Sequence, residues 1–220
     1  MVKAAQGKFI TIEGIEGVGK STHINTIHRF FDKQDIECIV TREPGGTGLG
    51  EDIRELLLGH QHQAMSSPCE LLLMFASRAQ HLAQVIRPAL KKGQWVICDR
   101  FTDATYAYQG GGRGIDDKQI ALLEAWVHGE QHPGTTWQPD LTFLLDTDVA
   151  TGMARVHKRG ATDRFESEAT AFFQRVREKY LERARENPSR ITMIDASQPL
   201  SDVEVSIRQQ LSIFLGLGNL

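Results

Sequence analysis

Gly14-Ile15-Glu16-Gly17-Val18-Gly19-Lys20-Ser21 fits G-x-x-x-x-G-K-[ST], a loop that cradles phosphate. Its flanks supply the context the pattern needs. Residues 8–12 form a short apolar run rich in β-branched and aromatic side chains, which predicts a buried strand. Residues 22–32 carry Ile24, Ile27, Phe30 and Phe31 at helical spacing. Strand, glycine turn and helix together aim backbone N–H groups and a helix N-terminus at one anion. In such a loop Lys20 reaches the β and γ phosphates of a nucleotide, and the Ser21 hydroxyl holds Mg²⁺.

The same alternation continues outward from the loop. Strands are expected at residues 36–41, 94–99, 139–146 and 190–195. Between them lie helical patterns at residues 50–58, at 67–92 with Pro88 ending or kinking the helix, and at 167–185. Asp116 and Asp148 stand where helix caps belong, and Ser201-Asp202-Val203-Glu204 reads as a capping box for a last helix. Five strands alternating with helices predict an open, parallel, doubly wound α/β sheet with helices on both faces. No repeat or linker divides residues 1–220, so one domain is expected.

The totals exclude several classes. A net charge of −3 gives no global field for nucleic acid or a membrane surface. Residues 1–6 lack the apolar core of a secretory signal, and the apolar runs at 71–77 and 211–217 are too short to span a bilayer. Cys38, Cys69 and Cys98 show no C-x-x-C or metal spacing, and His60-Gln61-His62 reads as a solvated loop. These features predict a soluble protein of a reducing cytoplasm.

Three predicted strands end in an acid, Asp99, Asp146 or Asp195, and each is placed to complete a Mg²⁺ site with Ser21. Asp99 is preferred because Arg100 sets an anion binder beside it, whereas Asp146 reads as a helix-start acid. The D-x-x-G and N-K-x-D patterns of GTPases are absent. Arg42, Arg54, Arg78 and Arg100 leave strand carboxyl ends, where a second anionic substrate would lie, and guanidinium forks suit its phosphate. A small phosphotransferase is the reading that remains.

With the loop, three further segments complete a pattern: Thr41-Arg42-Glu43-Pro44-Gly45-Gly46-Thr47, Asp99-Arg100-Phe101, and Ala107-Tyr108-Gln109-Gly110-Gly111-Gly112-Arg113-Gly114. In order along nearly the whole chain, they resemble the bacterial thymidylate kinases. The resemblance implies the P-loop nucleoside monophosphate kinase fold and transfer of the ATP γ-phosphoryl group to dTMP, in a homodimer. It assigns the residues from Gly14 to Thr22 to the donor, including Ile15, Glu16, Gly17, Val18 and Gly19, with Ser197 near the adenine. It assigns Arg54 and Arg100 to the dTMP phosphate, and Glu43 and Pro44 are counted with the substrate-binding residues. Arg78, Thr105 and Gln109 fall to the thymine, and Tyr108 to the deoxyribose, where its ring excludes a 2′-hydroxyl. Glu16 faces the sugar 3′-hydroxyl or the metal region. Where the family often has a stacking Phe, this chain has Met74, with Phe75 one step on, and either packs on the base. No basic residue precedes Lys20 in the loop, so the missing cation is expected from a lid at about residues 155–165. Arg155 and Arg159 are its candidates, with Arg164 a third that is also counted with the ATP-binding residues. The alternatives are a deoxynucleoside kinase, which needs a carboxylate base such as Glu16 or Glu43, and a nucleotide-binding module without turnover.

Overall fold

The computed structural model describes residues 7–62, 64–132, 135–158 and 163–217. Along the chain run β1 (Phe9–Glu13), α1 (Lys20–Asp32), β2 (Cys38–Arg42), α2 (Gly48–Leu58), α3 (Ser67–His81), α4 (Arg87–Lys91), β3 (Trp95–Asp99) and α5 (Thr102–Thr105). They are followed by α6 (Asp117–His128), β4 (Glu130–His132), β5 (Thr135–Thr136), β6 (Leu141–Asp146), α7 (Val149–His157), α8 (Thr170–Glu186), β7 (Ile191–Asp195) and α9 (Leu200–Leu215).

β1 is buried at every position because it is paired on both sides and covered on both faces. Ile10 lies opposite Ile97 of β3 and Leu141 of β6, in parallel register. With β2 and β7 outside them, the order is β2-β3-β1-β6-β7, all parallel. Successive side chains point to opposite faces. Phe9, Val96 and Cys98 pack with Leu82, Ile86 and Leu90. Ile10, Ile12 and Ile97 pack in the cluster that holds Ile24, Ile27 and Phe31 of α1 and Val203, Ile207 and Leu211 of α9. The phosphate loop therefore leaves the central strand, flanked by the carboxyl ends of β3 and β6.

Three local expectations are corrected, and one element is added. The stretch 67–92 is not one helix: a wide π turn, Leu82–Ile86, separates α3 from α4, with Pro88 in the first turn of α4. The widened turn lies ahead of the proline, whose missing N–H and ring a regular helix would not accommodate. Asp146 does not start a helix. It pairs through both oxygens with Arg177 of α8, each at 2.8 Å, while Asp148 caps α7 by accepting from Thr151 N at 2.8 Å. The capping box at Ser201 does not form, because α9 already begins at Leu200 and the Ser201 hydroxyl donates to Asp202 instead. A short antiparallel hairpin, β4–β5, was unforeseen, its strands being too brief to show a period.

Candidate active site

The loop is folded by its glycines and anchored by its apolar members. Ile15 and Val18 are buried in the core, which fixes the turn from behind. Gly17 has φ 75°, and a Cβ there would stand 2.0 Å from the carbonyl oxygen of Gly152 in α7. Helix α7 thus rests directly on the loop backbone. Lys20 Nζ donates to the carbonyls of Gly14 (3.3 Å) and Ile15 (3.1 Å). Burial and the charge of Arg100 lower its ammonium to about pKa 8, against the opposing pull of Asp99 and Glu16. Such a lysine gains most from an arriving polyanion. One oxygen of Asp99, Oδ1, is buried without a hydrogen-bond partner, and Asp99 and Ser21 line the same cavity. An orphaned carboxylate oxygen near a hydroxyl fits a hard cation.

Arg100 follows β3 in the left-handed region, φ 69°, a conformation non-glycine residues seldom adopt. Its guanidinium is gripped on all sides. Nη1 donates to Gly14 O (2.7 Å) and to the Tyr180 hydroxyl (3.0 Å), and Nη2 to Glu16 Oε1 (2.9 Å). The Tyr108 ring lies beneath it, 4.8 Å from ring centre to guanidinium carbon, and the Tyr108 hydroxyl donates to both Glu16 oxygens at 2.6 and 2.7 Å. Glu16 thus joins the donor loop to the expected acceptor arginine.

Arg78 is 2% exposed. Its Nε donates to Glu43 Oε2 (2.7 Å), and Nη2 to Thr105 Oγ1 (2.9 Å) and Phe101 O (3.2 Å). Nη1 is buried without a hydrogen-bond partner. Burial works to raise the Glu43 carboxyl, but Arg78 and His81, whose Nδ1 lies 2.9 Å from Oε1, hold it below the usual range. Arg54 Nη1 donates to Pro44 O at 2.8 Å, and Gln109 Nε2 to Glu70 Oε1 at 2.9 Å.

These side chains enclose a cavity of about 520 Å³. It brings together Glu16, Gly17, Gly19, Lys20, Ser21 and Thr22 of the loop with Glu43, Pro44, Arg54, Met74, Arg78, Asp99, Arg100, Thr105, Tyr108, Gln109 and Arg155. Gly14, Ile15 and Val18 support the loop without lining the space. Of the two candidates for the base, Met74 lines the cavity. Phe75 does not: it is 3% exposed and packs with Leu71, Tyr106 and Ile120, because one helical step turns it into the core. Arg164 is also corrected. It turns inward, donating to Leu57 O (2.7 Å) and Glu70 Oε2 (2.7 Å), so a buried carboxylate on α3 claims it rather than the donor. Ser197 bonds Asp195 at the exposed end of β7 and does not line the cavity. Arg155 does lie on the loop, its Nη1 donating to Gly17 O (3.4 Å) and Ala196 O (3.0 Å). Arg159 lies outside the described residues. Arg42 pairs with Glu51 at the exposed edge instead of facing the cavity. Sequence reasoning missed Phe165, which lines the cavity with its ring edge-on to Tyr108, and the buried Glu13. The acid directly before Gly14 was a signal in plain sight.

The family profile described as thymidylate kinase matches residues 12–207. The chain belongs to the thymidylate kinase family. It is 53% identical over 211 residues to the thymidylate kinase of Pseudomonas savastanoi pv. phaseolicola, covering 96% of this chain and 98% of that one. It is 55% identical over 201 residues to the thymidylate kinase of Pseudomonas entomophila, covering 91% and 93%. The crystal structure of thymidylate kinase from Ehrlichia chaffeensis superposes with a TM-score of 0.74 at 33% identity, covering 94% of this chain and 99% of that one. The expected fold of P-loop nucleoside monophosphate kinases is therefore the observed one. Thymidylate kinases phosphorylate dTMP at the expense of ATP, and the cavity here is lined by the cationic side chains Lys20, Arg54, Arg78, Arg100 and Arg155.

Proposed function

We propose that the family's reaction, transfer of the ATP γ-phosphoryl group to the phosphate of dTMP to give dTDP and ADP, runs in this cavity. The observation that carries the reading is the joint exposure of Lys20 and Arg100 to one cavity, with Glu16 joined to Arg100 between them. The acceptor is a phosphate monoester, largely a dianion near neutral pH, so it needs no strong base. One of its oxygens attacks the γ-phosphorus as the bond to the β,γ-bridging oxygen breaks, and the electron pair leaves with ADP. The protein's part is positioning and charge neutralisation. Lys20 holds the donor phosphates, Arg54 and Arg100 hold the acceptor phosphate, and Arg78 and Gln109 address the thymine edge with Met74 against its face. Tyr108 fills the space a 2′-hydroxyl would need.

Ser21 and Asp99 would hold Mg²⁺, which supplies charge neutralisation on the donor phosphates. Arg155, already seated on the loop, is the lid cation in this reading, and residues 155–165 act as a lid on a single domain. The deoxynucleoside-kinase reading lacks a base: Glu16 is engaged by Arg100 and Tyr108, and Glu43 by Arg78 and His81. We assign the protein to the cytoplasm; among the described residues no helix is long and apolar enough to cross a membrane. A homodimer is supported by the apolar side chains left exposed on packed helices α3 and α6, where Leu72 is 57%, Leu122 72% and Trp126 81% exposed. A coupled ADP-release assay with Mg-ATP and dTMP, dUMP, dCMP, GMP or thymidine tests the reaction. Turnover with dTMP is expected, and turnover with thymidine but not dTMP would overturn it. Light scattering after gel filtration tests the dimer, which a clean monomer refutes.

A further inference from the structure

Two buried groups outside the family reading converge on Arg100. Glu13 ends β1 with no exposed surface, and each carboxylate oxygen has one partner. Oε1 accepts from the backbone N–H of Phe101 at 2.7 Å, and Oε2 accepts from the Tyr180 hydroxyl at 2.8 Å. The same hydroxyl receives Nη1 of Arg100 at 3.0 Å. Glu13 thus acts on Arg100 from two sides. It ties down the peptide that follows the left-handed residue, and through Tyr180 it orients the guanidinium. The backbone strain at Arg100 persists only where its surroundings over-determine it. A carboxylate facing an N–H and an O–H in the dry end of the sheet is such a constraint.

We infer that Glu13 and Tyr180 are positioning residues for the acceptor phosphate, setting the direction in which Arg100 presents its guanidinium. The inference rests on the reading of Arg100 as the group that holds the dTMP phosphate. Tyr180 lies on α8, the helix that follows the 155–165 segment, so the acceptor site is registered against that helix as well as against the sheet.

The test is steady-state kinetics on full-length Tyr180→Phe, Glu13→Gln and Arg100→Lys, with thermal melts of each. Tyr180→Phe keeps the ring and removes only the relay oxygen. It is expected to raise KM for dTMP about tenfold, the scale of one hydrogen bond to a charged group, and to leave KM for ATP within about twofold. Glu13→Gln, which keeps the shape but sets an amide N–H against a donor, is expected to do the same. In the Arg100→Lys background Tyr180→Phe is expected to add nothing, because there is no fork left to orient. If Tyr180→Phe or Glu13→Gln moves both KM values together with the melting temperature, the role is structural and the inference falls. If Arg100→Lys raises KM for dTMP and neither other variant does, the relay falls while the reading of Arg100 stands. If Arg100→Lys itself leaves KM for dTMP unchanged, the reading of Arg100 falls and takes the inference with it.

Discussion

Removing the Glu43 carboxylate should be one of the most damaging single changes outside the phosphate loop. Glu43 is 5% exposed, and its partners Arg78 and His81 are 2% and 0% exposed. Among the described residues Arg78 has no second carboxylate partner; its other acceptors are the Phe101 carbonyl and the Thr105 hydroxyl. Glu43→Ala therefore leaves a guanidinium buried without a counter-charge. Breaking a buried pair in this way costs about 3–5 kcal/mol, a large share of the roughly 5–15 kcal/mol that holds a domain together. Urea denaturation at neutral pH measures the loss directly. Arg78→Met placed on Glu43→Ala should recover most of it, because the uncompensated charge is then gone, giving a coupling of at least about 2 kcal/mol in the double-mutant cycle. The recovered protein should still use dTMP poorly, since the free Nη1 donor of Arg78 has gone with it. The sign of the pH effect follows from the lowered carboxyl. The pair's contribution is complete above the ordinary carboxylate range and is lost as acid carries the pH down through the lower folded value. A loss under about 1 kcal/mol for Glu43→Ala at neutral pH, with additive singles, would refute the reasoning.

Three further outcomes are expected. Arg155→Ala should cut kcat by about 10³ or more with KM for dTMP little changed, and an intact kcat would remove Arg155 from the lid role. Gly17→Ala must adopt φ 75° and push a Cβ into a carbonyl 2.0 Å away, so it should lower the melting temperature and abolish ATP binding by calorimetry; wild-type binding would show that α7 can lift off the loop without cost. Burial, with Asp103 adding to it, raises Glu13 from 4.5 to about 7, so the folded state keeps a proton the unfolded chain has lost. Stability should accordingly fall as pH rises from about 4.5 through 7, by on the order of 3 kcal/mol, and melts of Glu13→Gln should lack that slope.

Much of this molecule could be read from local pattern. The eight residues of the loop, the apolar runs of the five parallel strands and the arginines after them each declare their environment within a few positions. What stayed hidden depends on pairing over distance. Asp146 looked like a cap because a helix follows it, yet Arg177 of α8 claims it. Arg164 sat in a basic run that suggested a solvent-facing lid, yet Glu70 of α3 draws it inside. Tyr180 falls inside the helical pattern expected at residues 167–185, where nothing local sets it apart; only the fold shows its hydroxyl reaching the end of β1. Met74 and Phe75 differ by 100° around a helix, an angle that sequence alone does not anchor.

The ion pair between Glu16 and Arg100 has a thermodynamic consequence for how the two nucleotides arrive. In the proposed reading Glu16 belongs to the loop that receives the donor, and Arg100 to the turn that receives the acceptor. An acceptor phosphate competing for the guanidinium loosens the carboxylate, and a donor that reshapes the loop loosens the guanidinium. The two affinities are then linked, and by reciprocity each nucleotide changes the other's dissociation constant by the same factor.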